Sequence, residues 1–177
     1  MTNFVSTLCL VLLCSVTVLG SSTPAASQES SLDGTYILDT TDSDNINEAI
    51  ETAVGKLDFV RRDIARGRLE KLNPAYREVV ITSSPNEISV TVDNQRPLRT
   101  PGKGAPVAWV GPDGRKVNAS MQLAGRRLAQ TFTSADGRRV NGYTLSPDGR
   151  TLTMQVTETS PQLSQTITYK QVYRRVS

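Results

Sequence analysis

Tyr143-Thr144-Leu145-Ser146-Pro147-Asp148-Gly149-Arg150-Thr151-Leu152-Thr153-Met154-Gln155-Val156 decides the fold of this chain. Two Thr-, Leu- and Val-rich segments flank a four-residue turn. Pro147 presets φ for the first central turn position, and Asp148 and Gly149 suit the later ones. Leu152, Met154 and Val156 alternate with polar residues, so one face of that segment is buried and the other wet. A strand, a tight turn and a second strand make a β-hairpin.

The same punctuation recurs at Ser83-Ser84-Pro85-Asn86, Gly111-Pro112-Asp113-Gly114 and Ser134-Ala135-Asp136-Gly137. Between the turns, strands are expected near 76–83, 87–93, 105–110, 115–123, 127–133, 138–145, 151–159 and 164–175. Alternation is clear at Ile88, Val90, Val92 and at Val117, Ala119, Met121, Leu123. Leu32 to Asp39 reads as an earlier first strand. The Pro- and Gly-rich stretch Pro97 to Pro106 reads as a longer irregular loop. A train of antiparallel strands has unprotected edges unless the sheet closes on itself. Pairing the first strand with the last solves this, giving a mainly β, up-and-down barrel of roughly eight or nine strands.

One helical insert interrupts the pattern at 45–72. Ile46, Ile50, Ala53, Val54, Leu57, Val60 and Ile64 recur at helical spacing and predict a single apolar stripe. Gly55 disfavours a continuous helix, so one bent helix or two consecutive ones are expected, ending before Asn73-Pro74. Asp44 or Asn45 serves as N-cap. The acidic run from Asp39 to Asn47 lacks the Gly and the terminal Glu of a calcium loop. Phe59 sits off the stripe, on the side of Arg62 and Arg66. The insert is expected to form a lid over the barrel, with Phe59 as its gate.

The domain is assigned to 32–177. Before it, Phe4 to Leu19 carries no charge and is followed by small residues. That is the layout of a secretory signal peptide over 1–20, with cleavage after Gly20 or as late as Ser27. Residues 21–31 form a flexible leader. Cys9 and Cys14, the two cysteines, fall inside the signal. Leu13 stands where a lipidation signal needs a small residue, so Cys14 is not a lipid attachment site. The processed chain would have no membrane span and no thiol, which suits a bacterial periplasmic or secreted protein.

The formal net charge is +3, from 20 basic and 17 acidic residues, too mild a balance for nucleic-acid binding. There is no histidine. That removes the commonest general base, the commonest metal ligand and the usual triads. No phosphate-cradling loop, metal-ligand spacing or cofactor motif is present. Glu78, Glu87, Asp93, Asp113, Asp148 and Glu158 could serve a two-carboxylate hydrolase, but most fall in turns or on wet faces. No catalytic residue, metal or cofactor is assigned.

Gly34-Thr35-Tyr36 in the first strand, the helical insert, Leu145 to Thr153, and Val172-Tyr173-Arg174-Arg175 at the end together resemble the calycin group. Within it the chain is similar to lipocalin-like and fatty-acid-binding-protein-like barrels, and to secreted bacterial proteins of this type. The resemblance implies a barrel that holds a small hydrophobic or amphipathic ligand. Fatty-acid-binding proteins clamp a carboxylate partly with an Arg-x-Tyr pair on the last strand. The matching positions here are Gln171 and Tyr173, so the Tyr is kept and the Arg is not. Tyr169 shares their face, and Gln130 lies beside Phe132 on another strand. Gln130, Phe132, Tyr169, Gln171, Tyr173 and Phe59 are therefore the candidate ligand-binding residues. A barrel of this size can be hollow or filled. The hollow reading is an exported, non-enzymatic carrier or sensor. The filled one is an envelope module touching an envelope protein or an anionic lipid surface.

Overall fold

A computed structural model of the chain describes residues 31–111, 114–163 and 165–176. The expected signal peptide, most of the leader, and Pro112-Asp113 lie outside the described residues. Strand β1 (Gly34–Asp39) is followed by α1 (Ile46–Val54) and α2 (Phe59–Leu72). Then come β2 (Glu78–Ser83), β3 (Ile88–Val92), β4 (Leu98–Thr100), β5 (Val107–Val110) and β6 (Lys116–Ala124). The remaining strands are β7 (Arg127–Ser134), β8 (Gly137–Leu145), β9 (Thr151–Thr159) and β10 (Ile167–Arg175). All neighbours pair antiparallel in the order β4-β3-β2-β1-β10-β9-β8-β7-β6-β5.

The first strand pairs with the last, Tyr36 opposite Arg175 and Asp39 opposite Val172, as edge protection demands. The two ends of the sheet, β4 and β5, do not pair. A single bridge between Lys103 and Gln122 spans the seam, so the barrel is nearly closed. The strand count is 10, above the expected number. The extra strand is β4, inside the stretch read as a loop. Its three residues lie between Pro97 and Pro101, too short to display alternation.

The β8–β9 turn forms as its composition predicts. Ser146 N–H donates to Thr151 O at 2.8 Å, and Gly149 takes the left-handed φ of 72°. Gly137 has a different reason to be glycine. Its φ is 150°, and a Cβ there would drive into the Thr159 carbonyl.

The insert is two helices. Asn45 caps α1 by accepting from Asn47 N–H at 3.0 Å, and Asp58 caps α2 by accepting from Arg61 N–H at 3.1 Å. Arg62 donates to the carbonyls of Gly55 and Leu57 and so closes the corner between them. Ile50, Ala53 and Val54 bury against the barrel. The expected single stripe does not continue into α2, where Val60 is 66% and Ile64 69% exposed. The non-helical corner resets the rotation of the chain. α2 instead turns Arg62, Ala65, Leu69 and Leu72 inward, a new stripe at helical spacing.

In the half of the barrel away from the helices the interior is filled. Tyr36, Met121, Leu128, Tyr143, Leu152 and Tyr173 are each at most 1% exposed. Replacing Gly137 by Ala combines about 1–3 kcal/mol of backbone strain with a direct collision. Urea unfolding of Gly137→Ala is expected to show that loss; an unchanged midpoint would contradict this account of the β7–β8 hairpin.

Candidate functional site

The helix-capped half of the barrel is open. A cavity of about 340 Å³ lies beneath the C-terminal turn of α2, near the lower end of small-molecule pocket sizes. Its two walls differ. Val90 and Val92 (β3), Leu98 (β4), Trp109 (β5), Val117 (β6) and Phe132 (β7) form an apolar side. Gln130 (β7), Arg139 and Asn141 (β8) and Glu158 (β9) form a polar side. The division follows from strand order: the lining residues of β3 to β6 named above are Val, Leu and Trp, β7 is the boundary with Phe132 and Gln130, and β8 and β9 carry Arg139, Asn141 and Glu158.

Arg139 organises the polar side. Its Nε donates to Asn141 Oδ1 at 2.9 Å. Nη1 donates to Leu72 O at 3.1 Å and Asn73 Oδ1 at 2.7 Å, at the end of α2. Nη2 donates to the Tyr169 hydroxyl at 3.0 Å, and that hydroxyl donates on to Asn73 Oδ1. Glu158 Oε2 lies 3.7 Å from Nη1, beyond hydrogen-bond length, and has no hydrogen bond of its own. Both side chains are largely buried, at 15% and 16% exposure. Burial pulls the Arg139 pKa down, but Tyr169 and Glu158 more than offset it and hold the group above its ordinary value.

The network continues downward. Asn141 Nδ2 donates to Gln130 Oε1 at 2.9 Å, and the Tyr143 hydroxyl donates to the same oxygen at 3.2 Å. Burial raises the pKa values of Tyr143 and Tyr173, so both present neutral hydroxyls. At the rim, Asp136 accepts from Arg68 Nη2 at 3.0 Å and lies 3.8 Å from Arg115 Nη1, linking α2 to two strand turns. Arg96 stacks over Trp109, 4.2 Å from the ring centroid.

Two of the six candidate residues, Gln130 and Phe132, line the cavity. Tyr169 stands one layer behind, holding Arg139. Gln171 and Tyr173 belong to the filled half, where the Tyr173 hydroxyl donates to Gln171 Oε1 at 3.2 Å. Phe59 is not at the cavity. It opens α2 on the outer surface and is 76% exposed, because the corner before it turns that residue away from the barrel. Arg139, Asn141 and Trp109 were not among the candidates. Counting back in steps of two from inward Leu145 and Tyr143 reaches Asn141 and Arg139, which is the signal that places them inside.

Of the carboxylates considered for hydrolysis, Glu158 lines the cavity and faces Arg139, while Asp93 and Asp148 bind backbone N–H groups in turns. Among the described residues there is no cluster of His, Cys, Asp and Glu able to hold a metal ion. No described helix is long and apolar enough to cross a membrane.

No protein-family model matches the chain, and no curated protein matches it in sequence. Solved structures do match. The REP1-NXSQ fatty acid transporter aligns over 82% of this chain and 96% of its own, with TM-score 0.53 and 15% identity. A Schistosoma mansoni fatty acid binding protein in complex with arachidonic acid aligns over 85% and 98%, with TM-score 0.52 and 19% identity. Human cRBP IV aligns over 82% and 98%, with TM-score 0.50 and 22% identity. At these identities the likeness is one of fold. It shows that the chain shares the barrel with a two-helix insert found in fatty-acid-binding proteins.

Arg139→Met keeps the aliphatic stem and deletes the fork, leaving Asn73, Asn141, Tyr169 and Glu158 without their shared donor. Breaking a buried pair in this way costs about 3–5 kcal/mol. Urea unfolding should report that loss, and a cost below about 1 kcal/mol would mean the network is not structural.

Proposed function

We propose that this protein is an exported, non-enzymatic carrier or sensor that holds a small hydrophobic or amphipathic molecule in the helix-capped half of its barrel. The observation that carries the reading is the cavity of about 340 Å³ with one apolar and one polar wall. Apolar surface supplies affinity, and a few placed polar groups fix orientation. The names of the structural neighbours, a fatty acid transporter and a fatty acid binding protein among them, support the same reading. The uncharged Phe4–Leu19 run supports export to a bacterial periplasm or beyond. Gln130 and Phe132 are the ligand contacts this reading keeps from the sequence, joined by Trp109 and Val117 on the apolar side.

Trp109, the chain's single tryptophan, is a built-in reporter. Titration with 1-aminoanthracene, a small neutral fluorophore, is expected to quench Trp109 saturably while the probe brightens. Val117→Phe fills the apolar side and should weaken the probe at least about 10-fold with the fold intact by circular dichroism. No saturable change in the native protein would contradict the carrier reading.

One surface observation favours a second role at the cell envelope. Phe59, Val60 and Ile64 are exposed together on α2, whose sequence holds more basic residues than acidic ones, Asp63 and Glu70 being the acids, with Arg61 paired to Asp58 and Arg68 to Asp136. An apolar cluster on a net basic helix suits an anionic membrane surface or an acidic envelope partner. Sedimentation with phosphatidylglycerol vesicles, but not with phosphatidylcholine vesicles, is the expected outcome. It should be lost in Phe59→Ser/Ile64→Ser. Equal sedimentation of that variant would remove α2 from the interaction.

A further inference from the structure

The hydrogen-bond directions on the polar wall follow from one residue. A guanidinium only donates. Arg139 Nε therefore forces Asn141 to present Oδ1 to it, and Asn141 must turn Nδ2 toward Gln130. Gln130 must then present Oε1, which also accepts from the Tyr143 hydroxyl. Both acceptor sites on that oxygen are used, and the Gln130 amide nitrogen is left facing the other way. Its one partner among the described residues is the Met121 thioether, 3.9 Å away and a weak acceptor. A carboxamide nitrogen carries two N–H bonds: one points sideways, here toward β6 and Met121, and the other points forward along the side chain. Gln130 is 4% exposed and lines the cavity. A buried donor of this kind lacks the partner that buried polar groups ordinarily have.

The charge balance one layer above it narrows what can reach it. Arg139 is engaged by Asn141, Leu72, Asn73 and Tyr169, with the Glu158 carboxylate against it. A ligand carboxylate pushed down to Gln130 would pass the Glu158 carboxylate and end against a neutral amide, with Arg139 already engaged by protein acceptors and little to offset its desolvation. Of the other cations that line the cavity, Lys71, Arg96 and Arg138 are exposed, and Arg115 lies 3.8 Å from the rim carboxylate of Asp136. An uncharged oxygen acceptor has no such cost and satisfies the waiting N–H.

We propose that Gln130 is the head-group contact of the cavity, and that the ligand carries an uncharged oxygen acceptor, such as a ketone, ester or alcohol oxygen, at the end inserted first. This rests on the cavity being a ligand site. It also distinguishes the chain from a carboxylate clamp, which needs a free deep cation.

The test pairs 2-decanone, labelled with ¹³C at its carbonyl, with decanoate at neutral pH, using the native protein. Trp109 emission reads affinity, and isotope-edited infrared spectroscopy reads the carbonyl stretch. The ketone should bind at least about 10-fold more tightly than decanoate, with its stretch shifted to lower frequency than in hexane. Gln130→Leu should abolish the shift and weaken the ketone about 10-fold, more than it weakens decanoate. An unshifted carbonyl, a shift that survives Gln130→Leu, or tighter binding of decanoate would overturn the head-group assignment while leaving the cavity a ligand site. Failure of both compounds to bind would overturn the cavity reading with it. If Gln130→Leu does not fold, Gln130→Met serves: a thioether cannot donate, so the shift should be lost, and a shift that persists would overturn the proposal.

Discussion

The hydrogen bonds of one buried guanidinium set the arrangement on which the open half of this barrel depends. Arg139 joins three elements far apart in the chain: the end of α2 through Leu72 and Asn73, its own strand through Asn141, and β10 through Tyr169. A desolvated charge is tolerated only when its donors are matched, and here most of them meet protein acceptors. The lid is therefore fastened from inside, over the cavity, as well as at the rim through Asp136. The rim pair is half-exposed and contributes little by comparison.

The same residue divides the barrel into two regimes. Beyond the Gln130–Asn141–Tyr143 layer, aromatic and long aliphatic side chains meet across the axis and leave no room for a ligand. On the near side, the inward residues of β3, β4 and β6 are Val and Leu, β5 adds Trp109, and the end of α2 contributes Lys71 and Leu72. The hollow and filled alternatives left open by barrel size are both realised, one at each end. On the polar side Arg139 of β8, with Tyr169 of β10 behind it, holds the end of α2, which an apolar side chain there could not do.

The architecture was largely legible in the sequence because it is written in local chemistry. Turn residues at Ser146 to Gly149, alternation at Leu152, Met154 and Val156, and the cap at Asn45 each act over a few neighbours. β4 escaped because Leu98-Arg99-Thr100 is held by its partner strand rather than by any pattern of its own. Val60 and Ile64 misled because periodicity assumes an unbroken helix, and the corner at Gly55 to Asp58 changes the phase. The site was half legible. Gln130 and Phe132 followed from strand alternation, whereas Gln171 and Tyr173 faced inward as expected but at the filled end, a depth that strand phase does not report. Arg139 was hidden by its chemistry: next to Arg138, in a run without apolar alternation, it reads as a solvated charge. Only the phase carried back from Tyr143 and Leu145 turns it inward.

Native mass spectrometry of the full chain, purified without detergent and incubated with a bacterial lipid extract, decides whether the cavity holds a ligand. A reproducible excess mass is expected, disappearing on denaturation and missing when Val117 is enlarged to Phe. An identical bare mass for both proteins would contradict this, and the cavity beneath α2 would then be a packing feature rather than a binding site.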